Sequence, residues 1–344
     1  MESDLRNYIS KEEFFLICEE NGFKSEEDKL QLSGYLHDLG ICLHFQDDKD
    51  SLLYRTVILK PTWATDAVYK VLDNSDVIAN RGVFTRQDLR NIWSGDEYRD
   101  KQTELLELMK KFQLCYEIPQ QKNHFIAPQL LNDNQPEYDW DASKNLIMRY
   151  RYPDFMIKGI LTRFIVVMHE DIYSCDVKET SDRDLQQCVW KSGVVLQKNN
   201  TKAEVIENYG KREIVVRVGG ETPRDLLTIV SNEIDKINKS YKRLKYQKLI
   251  PCNCPVCKDS PNPHGYDYKK LMEKYSNGKK TVECDIKPYH TVEILSLIDH
   301  SFSRNVDRSS KKLNETIDGV ASEKYSIHHH YGDGDNVGGN KNIN

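Results

Sequence analysis

The spacing of apolar and polar residues divides the chain into two textures. Through the first 140 residues, short amphipathic runs are separated by polar turns. SKEEFFLICEENG (10–22) opens with Ser10 and Glu13 in a capping-box pattern and closes at Gly22, which predicts a helix. SEEDKLQLSGYLHDLG (25–40) predicts a second, with Leu30, Leu32, Leu36 and Leu39 supplying most of its apolar face. ICLHFQD and LLYRTVIL flank the polar turn DDKDS and predict a β-hairpin. In PTWATDAVYKVLD, Pro61 stands at a helix start, followed by an apolar stripe of Trp63, Ala67, Val68, Val71 and Leu72. The order then partly repeats. TRQDLRNIW is a short helix capped by Thr85, DKQTELLELMKKFQLC a longer one, and LCYEIPQQKNHFIAPQLL a hairpin turning at QQKN. Two helix-plus-hairpin units of winged-helix order therefore fill residues 1–140, and NDNQPEYDWDASKN is the expected joint.

Residues 141–300 read differently. NLIMRYRY alternates as a strand does, MIKGILTRFIVVMHED predicts a helix, and QCVWKSGVVLQ, KAEVIEN and REIVVRVGG predict three more strands. Thr222 is placed to cap, and Pro223 to open, the helix TPRDLLTIVSNEIDKINKSY. YDYKKLMEKY follows as a short helix, and the basic run RLKYQK (243–248) reads as a solvated face. The expected fold class is α+β, a helical winged-helix-like part followed by an antiparallel sheet with helices on one face. From 301 to 344 Ser, Asn, Gly, Asp and Lys displace apolar residues, which predicts a disordered tail.

Composition narrows the function. A chain of 344 residues with 38% hydrophobic and 30% charged residues can bury sizeable cores, and its net charge of −5 offers no general attraction to phosphate backbones. There is no secretory leader at the first residues and no run of apolar residues long enough to span a bilayer. Nine cysteines without an export signal point to a reducing cytoplasm, where clustered thiols more often hold metal than form disulfides.

The chemistry concentrates in IPCNCPVCKDSPNPHGYDY (250–268). Cys254 and Cys257 form a C-x2-C knuckle, Cys252 precedes it, and Cys284 follows after 26 intervening residues. A tight C-x2-C turn lets two sulfurs face one ion, and four thiolates close a tetrahedral Zn2+ site that leaves no position for water, so such zinc is structural. His290, with His264 behind it, is the alternative fourth ligand. A redox pair is the competing reading, but it calls for a helix directly after the C-x2-C, and KDSPNPHG is a turn stretch. Isolated buried thiols are the other. No nucleotide loop is present: NGKKT (277–281) lacks the first glycine and the Ser/Thr after its lysine, and GGETPRD serves as a strand end and helix start. Nothing assembles a nucleophile, a base and an orienting group, so neither catalysis nor nucleotide binding by this chain is expected. His328–His330 in the tail are too few for a metal-binding tag. Winged-helix order raises nucleic-acid binding as the alternative function, with the cysteines as a zinc ribbon. The helix at 25–40 is acidic at its start, however, and would repel a duplex.

LHDLGICLHFQDD (36–48), VILKPTWATDAVYKVLD (57–73), GVFTRQDL (82–89), LMKKFQLCYEI (108–118), FIAPQLL (125–131), RYRYPDFMIKGILTRFIVVMH (149–169), VWKSGVVL (189–196), RDLLTIVSNEIDKINKSY (224–241) and the cysteine segment together resemble the COR domain, which follows the Ras-like Roc GTPase in Roco proteins, bacterial and animal. The resemblance runs in order over about 5–300. It implies a helical COR-A (1–140) that packs on the GTPase and a mixed COR-B (141–300) that mediates homodimerisation. It also implies that the hairpin carrying Leu43, His44, Phe45, Val57, Leu59, Pro61 and Trp63 faces the GTPase, in cis or in trans. No Roc, leucine-rich-repeat or kinase signature lies in the chain, so the family's GTP-binding residues have no counterparts here. The tail YGDGDNVGGNKN is similar to Gly/Asn-rich tails of bacterial signalling proteins.

Overall fold

The computed structural model describes residues 6–141, 145–174, 187–258 and 260–298. The tail beyond Ser301, with His328–His330, lies outside the described residues.

The N-terminal part builds on short elements whose ends the sequence fixes. β1 (Tyr8–Ser10) leads into α1 (Lys11–Glu20), where the Ser10 hydroxyl accepts the Glu13 N–H at 3.1 Å and Gly22 takes a φ of 95°. Ser25 caps α2 (Glu26–Asp38) in the same way. The inner face of α2 is not the leucine stripe that spacing predicts. Lys29 and Ser33 are the buried positions, Leu39 is exposed, and Leu32 and Leu36 pack at the margin of the core. Lys29 is tolerated because it pairs with Glu19 and lies over the Phe15 ring.

The hairpin expected across 41–59 is reduced to one bridge, Leu43 to Ile58, with reciprocal hydrogen bonds of 2.8 and 2.9 Å. Its second arm, β2 (Thr56–Ile58), pairs instead with β1, an antiparallel partner the alternation did not reveal. α3 (Pro61–Leu72) follows with Pro61 in its first turn and buries Trp63, Ala64, Ala67, Val68 and Val71. A short α4 (Ser75–Ala79) and β3 (Val83–Thr85) lead to α5 (Arg86–Ile92), closed by a reciprocal Thr85–Asp88 capping box. α6 (Gln102–Lys111), β4 (Tyr116–Glu117) and β5 (His124–Ile126) complete this part, in a three-stranded sheet of order β3-β5-β4. Trp93, Leu105, Leu108 and Met109 are at its centre, and the Trp93 indole donates to the Ala67 carbonyl at 2.9 Å.

The C-terminal part is a fully antiparallel seven-stranded sheet of order β12-β11-β6-β10-β9-β8-β7. Its strands are β6 (Asn145–Arg151), β7 (Val189–Trp190), β8 (Gly193–Lys198), β9 (Thr201–Asn208), β10 (Glu213–Gly220), β11 (Gln247–Pro251) and β12 (Gly265–Asp267). The fold is α+β. Leu146, Met148 and Tyr150 of β6 stand opposite Val218, Val216 and Ile214 of β10, which forms one apolar face. α7 (Ile160–Val167) and α8 (Pro223–Ser240) join that core. Tyr150 and Tyr152 fix α8 to the sheet through Ser231 Oγ at 2.7 Å and Asn238 Oδ1 at 3.1 Å.

Three readings change here. QCVWKSGVVLQ is two strands joined at Lys191–Ser192, and Thr222 does not cap α8 through its side chain, because its hydroxyl meets Thr201 Oγ1 at 3.2 Å. RLKYQK also does more than cover a solvated face. Gln247 and Lys248 begin β11, where Lys248 pairs with Asp235.

The opposite face of the sheet receives the joint. Tyr138 stacks over Trp190 with ring centroids 6.3 Å apart, Arg217 lies over Trp140, and the Arg217 Nε donates to Glu204 Oε2 at 2.7 Å. At the β7–β8 turn a Cβ on Gly193 would fall 2.0 Å from the Trp190 ring. Gly193→Ala is therefore expected to cost about 2–3 kcal/mol. A lower urea midpoint with an unchanged slope would confirm this, and an unchanged midpoint would contradict it. The described residues end in α9 (Tyr268–Ser276), β13 (Thr281–Glu283), β14 (Thr291–Glu293) and α10 (Ile294–Ile298), with β13 and β14 paired beside the cysteine segment.

Candidate metal centre

The backbone brings the cysteines together from two directions. Cys252 follows directly on β11, and its N–H donates to the His264 carbonyl at 2.7 Å. From there the chain turns tightly. The Cys257 and Lys258 N–H groups both reach the Cys254 carbonyl at 2.9 Å, which places Cys254 and Cys257 on one side of the turn. Cys284 arrives just past β13, held by a 2.9 Å hydrogen bond from its N–H to the His290 carbonyl.

The sulfurs of Cys252, Cys254, Cys257 and Cys284 all lie within 4.8 Å of one another, all four residues are buried, and all are free thiols. The Cys257 and Cys284 sulfurs approach to 3.5 Å. A Zn–S bond of about 2.3 Å implies tetrahedral sulfur–sulfur edges of about 3.8 Å, so the donor set fits a closed tetrathiolate site.

Donors surround the sulfurs. Tyr266 Oη and the Cys254 N–H each meet Cys252 Sγ at 3.5 Å, and the Ile286 N–H meets Cys284 Sγ at 3.4 Å. Such donors stabilise clustered thiolate charge. Burial acts against the thiolate at every position and raises the pKa of Cys252, Cys257 and Cys284. At Cys254 burial is outweighed by the hydrogen bonds it accepts, first from the Cys257 N–H, and its pKa falls to about 7.

The histidines considered as ligands stand outside this set. His290 offers its carbonyl to Cys284, and His264 offers its carbonyl to Cys252. The His264 Nδ1 faces Asp285 Oδ2 at 3.5 Å, and its ring packs edge-on against Tyr266. Tyr266, which bonds a sulfur, carries no signal in the sequence beyond its position after PHG.

The seven residues expected to face a GTPase are placed by their burial. His44, Phe45, Val57 and Trp63 are buried, and Leu43, Leu59 and Pro61 are half-buried. The His44 Nε2–H donates to the Tyr54 carbonyl at 2.9 Å, and Nδ1 meets Ser33 Oγ at 2.8 Å. Burial, then the charges of Lys11 and His37, hold its pKa below the ordinary value against the Tyr54 hydrogen bond, which raises it. Trp63 stacks on Tyr98 with centroids 5.6 Å apart and donates to the Glu97 carbonyl at 3.2 Å. These side chains shape the segment from within. Large apolar side chains exposed on the N-terminal part include Leu16, Tyr35, Leu39 and Ile41, as well as Phe23, Tyr69, Ile78 and Phe112.

Comparison with known proteins places this architecture. Residues 1–131 match the model of the COR-A domain, C-terminal of Roc, and residues 143–300 that of the COR-B domain, C-terminal of Roc. The chain belongs to the COR family, the domain that accompanies the Roc GTPase in Roco proteins.

It is similar to a Roc-COR-CHAT protease of Runella zeae, 32% identical over 253 residues that make up 71% of this chain and 24% of that protein. It is also similar to the probable serine/threonine-protein kinase qkgA of Dictyostelium discoideum, 34% identical over 130 residues, 37% of this chain and 8% of that protein. The chain thus spans about a quarter or less of the length of these two relatives. Among solved structures, the Methanosarcina barkeri Roco2 RocCORdC bound to GDP matches at 32% identity over 38% of this chain and 40% of that one, with a TM-score of 0.33. Among the described residues, no helix is long and apolar enough to cross a membrane.

Proposed function

We propose that this chain is a non-catalytic COR module of a Roco-type protein. Its winged-helix-like N-terminal subdomain docks on a Roc-type, Ras-like GTPase in the cytoplasm, in the same polypeptide or a separate one. Its C-terminal subdomain holds a second copy of the chain, and the nucleotide state of the GTPase is passed to the dimer. The observation that carries this reading is the match to COR-A and COR-B, in order, over residues 1–131 and 143–300. The exposed Leu16, Tyr35, Leu39 and Ile41 support a docking face beside the predicted hairpin, since large apolar groups left on a surface favour a protein partner. A nucleic-acid partner has less behind it, because α2 carries Glu26, Glu27 and Asp28 in its first turn.

The tetrathiolate is proposed to hold Zn2+ as a staple that ties β11 to the β13–β14 pair. Nucleotide state shifts the dimer only to the extent that the two GTPase states bind this chain with different free energies. Light scattering on the full chain tests the dimer. A mass of two chains at high micromolar concentration is expected, and a monomer there would refute that half of the proposal. The replacement Leu39→Asp is expected to weaken GTPase binding at least tenfold with no change in thermal stability. Unchanged binding would move the docking face elsewhere.

A further inference from the structure

Between β6 and the loop that follows the cysteines lies a cleft of about 270 Å3, whose lining includes Arg149, Arg151, Glu213, Leu249, Pro251, Pro263 and His264. Arg149 and Arg151 alternate onto the sheet face turned away from α8, so their Cα atoms are about 6.6 Å apart. Glu213 stands directly across from Arg151, yet its closest approach to a guanidinium is 3.8 Å, to Arg149. The Nε–H of Arg149 is buried and has no hydrogen-bond partner. A buried, unmatched guanidinium N–H is costly unless something accepts it. Two guanidiniums beside one carboxylate leave the cleft a net positive charge.

We propose that this cleft binds a phosphate group, with the Arg149 and Arg151 guanidiniums donating to its oxygens. A phosphate monoester brings about −1.5 to −2 charges and several acceptor oxygens, where a carboxylate would only duplicate Glu213. Leu249, Pro251 and Pro263 give the rest of the ligand an apolar wall. That wall is held by the Cys252–His264 backbone hydrogen bond.

The test is calorimetric titration of the full chain with inorganic phosphate, phenyl phosphate and acetate at matched ionic strength. Saturable binding is expected for both phosphates, tighter for phenyl phosphate because of the apolar wall. Arg151→Gln should lower affinity at least tenfold. Arg151 is exposed, so this variant keeps the wild-type melting temperature, whereas Arg149→Gln alters a half-buried position and serves only as a second probe. Absence of saturable phosphate binding, or binding unchanged in Arg151→Gln, overturns the proposal. Acetate binding as tightly as phosphate overturns the ligand class.

Discussion

Cys254→Ser is expected to remove stoichiometric zinc from the purified protein and to lower its unfolding temperature by roughly 10 °C. The four sulfurs are buried and mutually within 4.8 Å, so loss of one leaves three thiols that can neither close a tetrahedron nor reach water. An ion held by these sulfurs would tie β11 to the β13–β14 pair, and its binding free energy would be folding free energy. Of that, about 3–5 kcal/mol is expected to be lost with one ligand, each kcal/mol being worth about 2–4 °C in a domain of this size. Cys115→Ala, a buried thiol outside the cluster, should leave zinc content unchanged. Elemental analysis of protein purified without chelators reads the result, with one zinc per chain expected in the wild type. Wild-type protein without zinc, or a Cys254→Ser variant that retains it, would refute the metal centre.

The second large effect is a pH dependence centred on Glu207. Its carboxyl lies on the α8-facing side of β9, opposite Ile214, and its Oε1 is buried with no hydrogen-bond partner. Burial raises its pKa from 4.5 to about 7. A carboxyl with a raised folded-state pKa binds its proton more tightly in the native protein. Its contribution is therefore fully present below pH 4.5 and is lost as the pH rises through about 7. The difference corresponds to about 3 kcal/mol. Glu207→Gln cannot ionise, so between pH 5 and pH 8 the wild type should lose about 2.5 kcal/mol relative to this variant. Urea midpoints of both proteins at the two pH values measure it, and parallel pH profiles would contradict the assignment.

How far these sites were legible depends on how local their determinants are. Capping residues act within one turn, so Ser10, Ser25 and Thr85 marked three helix starts correctly. The C-x2-C turn likewise forced Cys254 and Cys257 together, and Cys284 joined them because no other thiol lies downstream of the knuckle. Pairing over longer distances was not legible. β1 is three residues long and carries no alternation of its own, so its pairing with β2 depends on where α1 and α2 deliver the chain. The face of α2 was misread for a related reason. Lys29 and Ser33 look like surface residues until Glu19, Phe15 and His44 are brought to them by tertiary contact. In RYRY the period-2 pattern does place Arg149 and Arg151 on one side. Only the assembled sheet, however, shows that this side borders a cleft rather than open solvent. For the seven residues of the predicted hairpin, family resemblance conveys the segment but not which of its side chains point outward.

The most direct test of the central claim is a titration of the full chain against a Roc-type GTPase domain, loaded in turn with GDP and with a non-hydrolysable GTP analogue. The account predicts saturable binding whose affinity differs between the two states by at least fivefold, about 1 kcal/mol of coupling. No binding in either state would contradict the claim that the chain docks on a GTPase. Equal affinity in both would contradict the claim that it transmits nucleotide state.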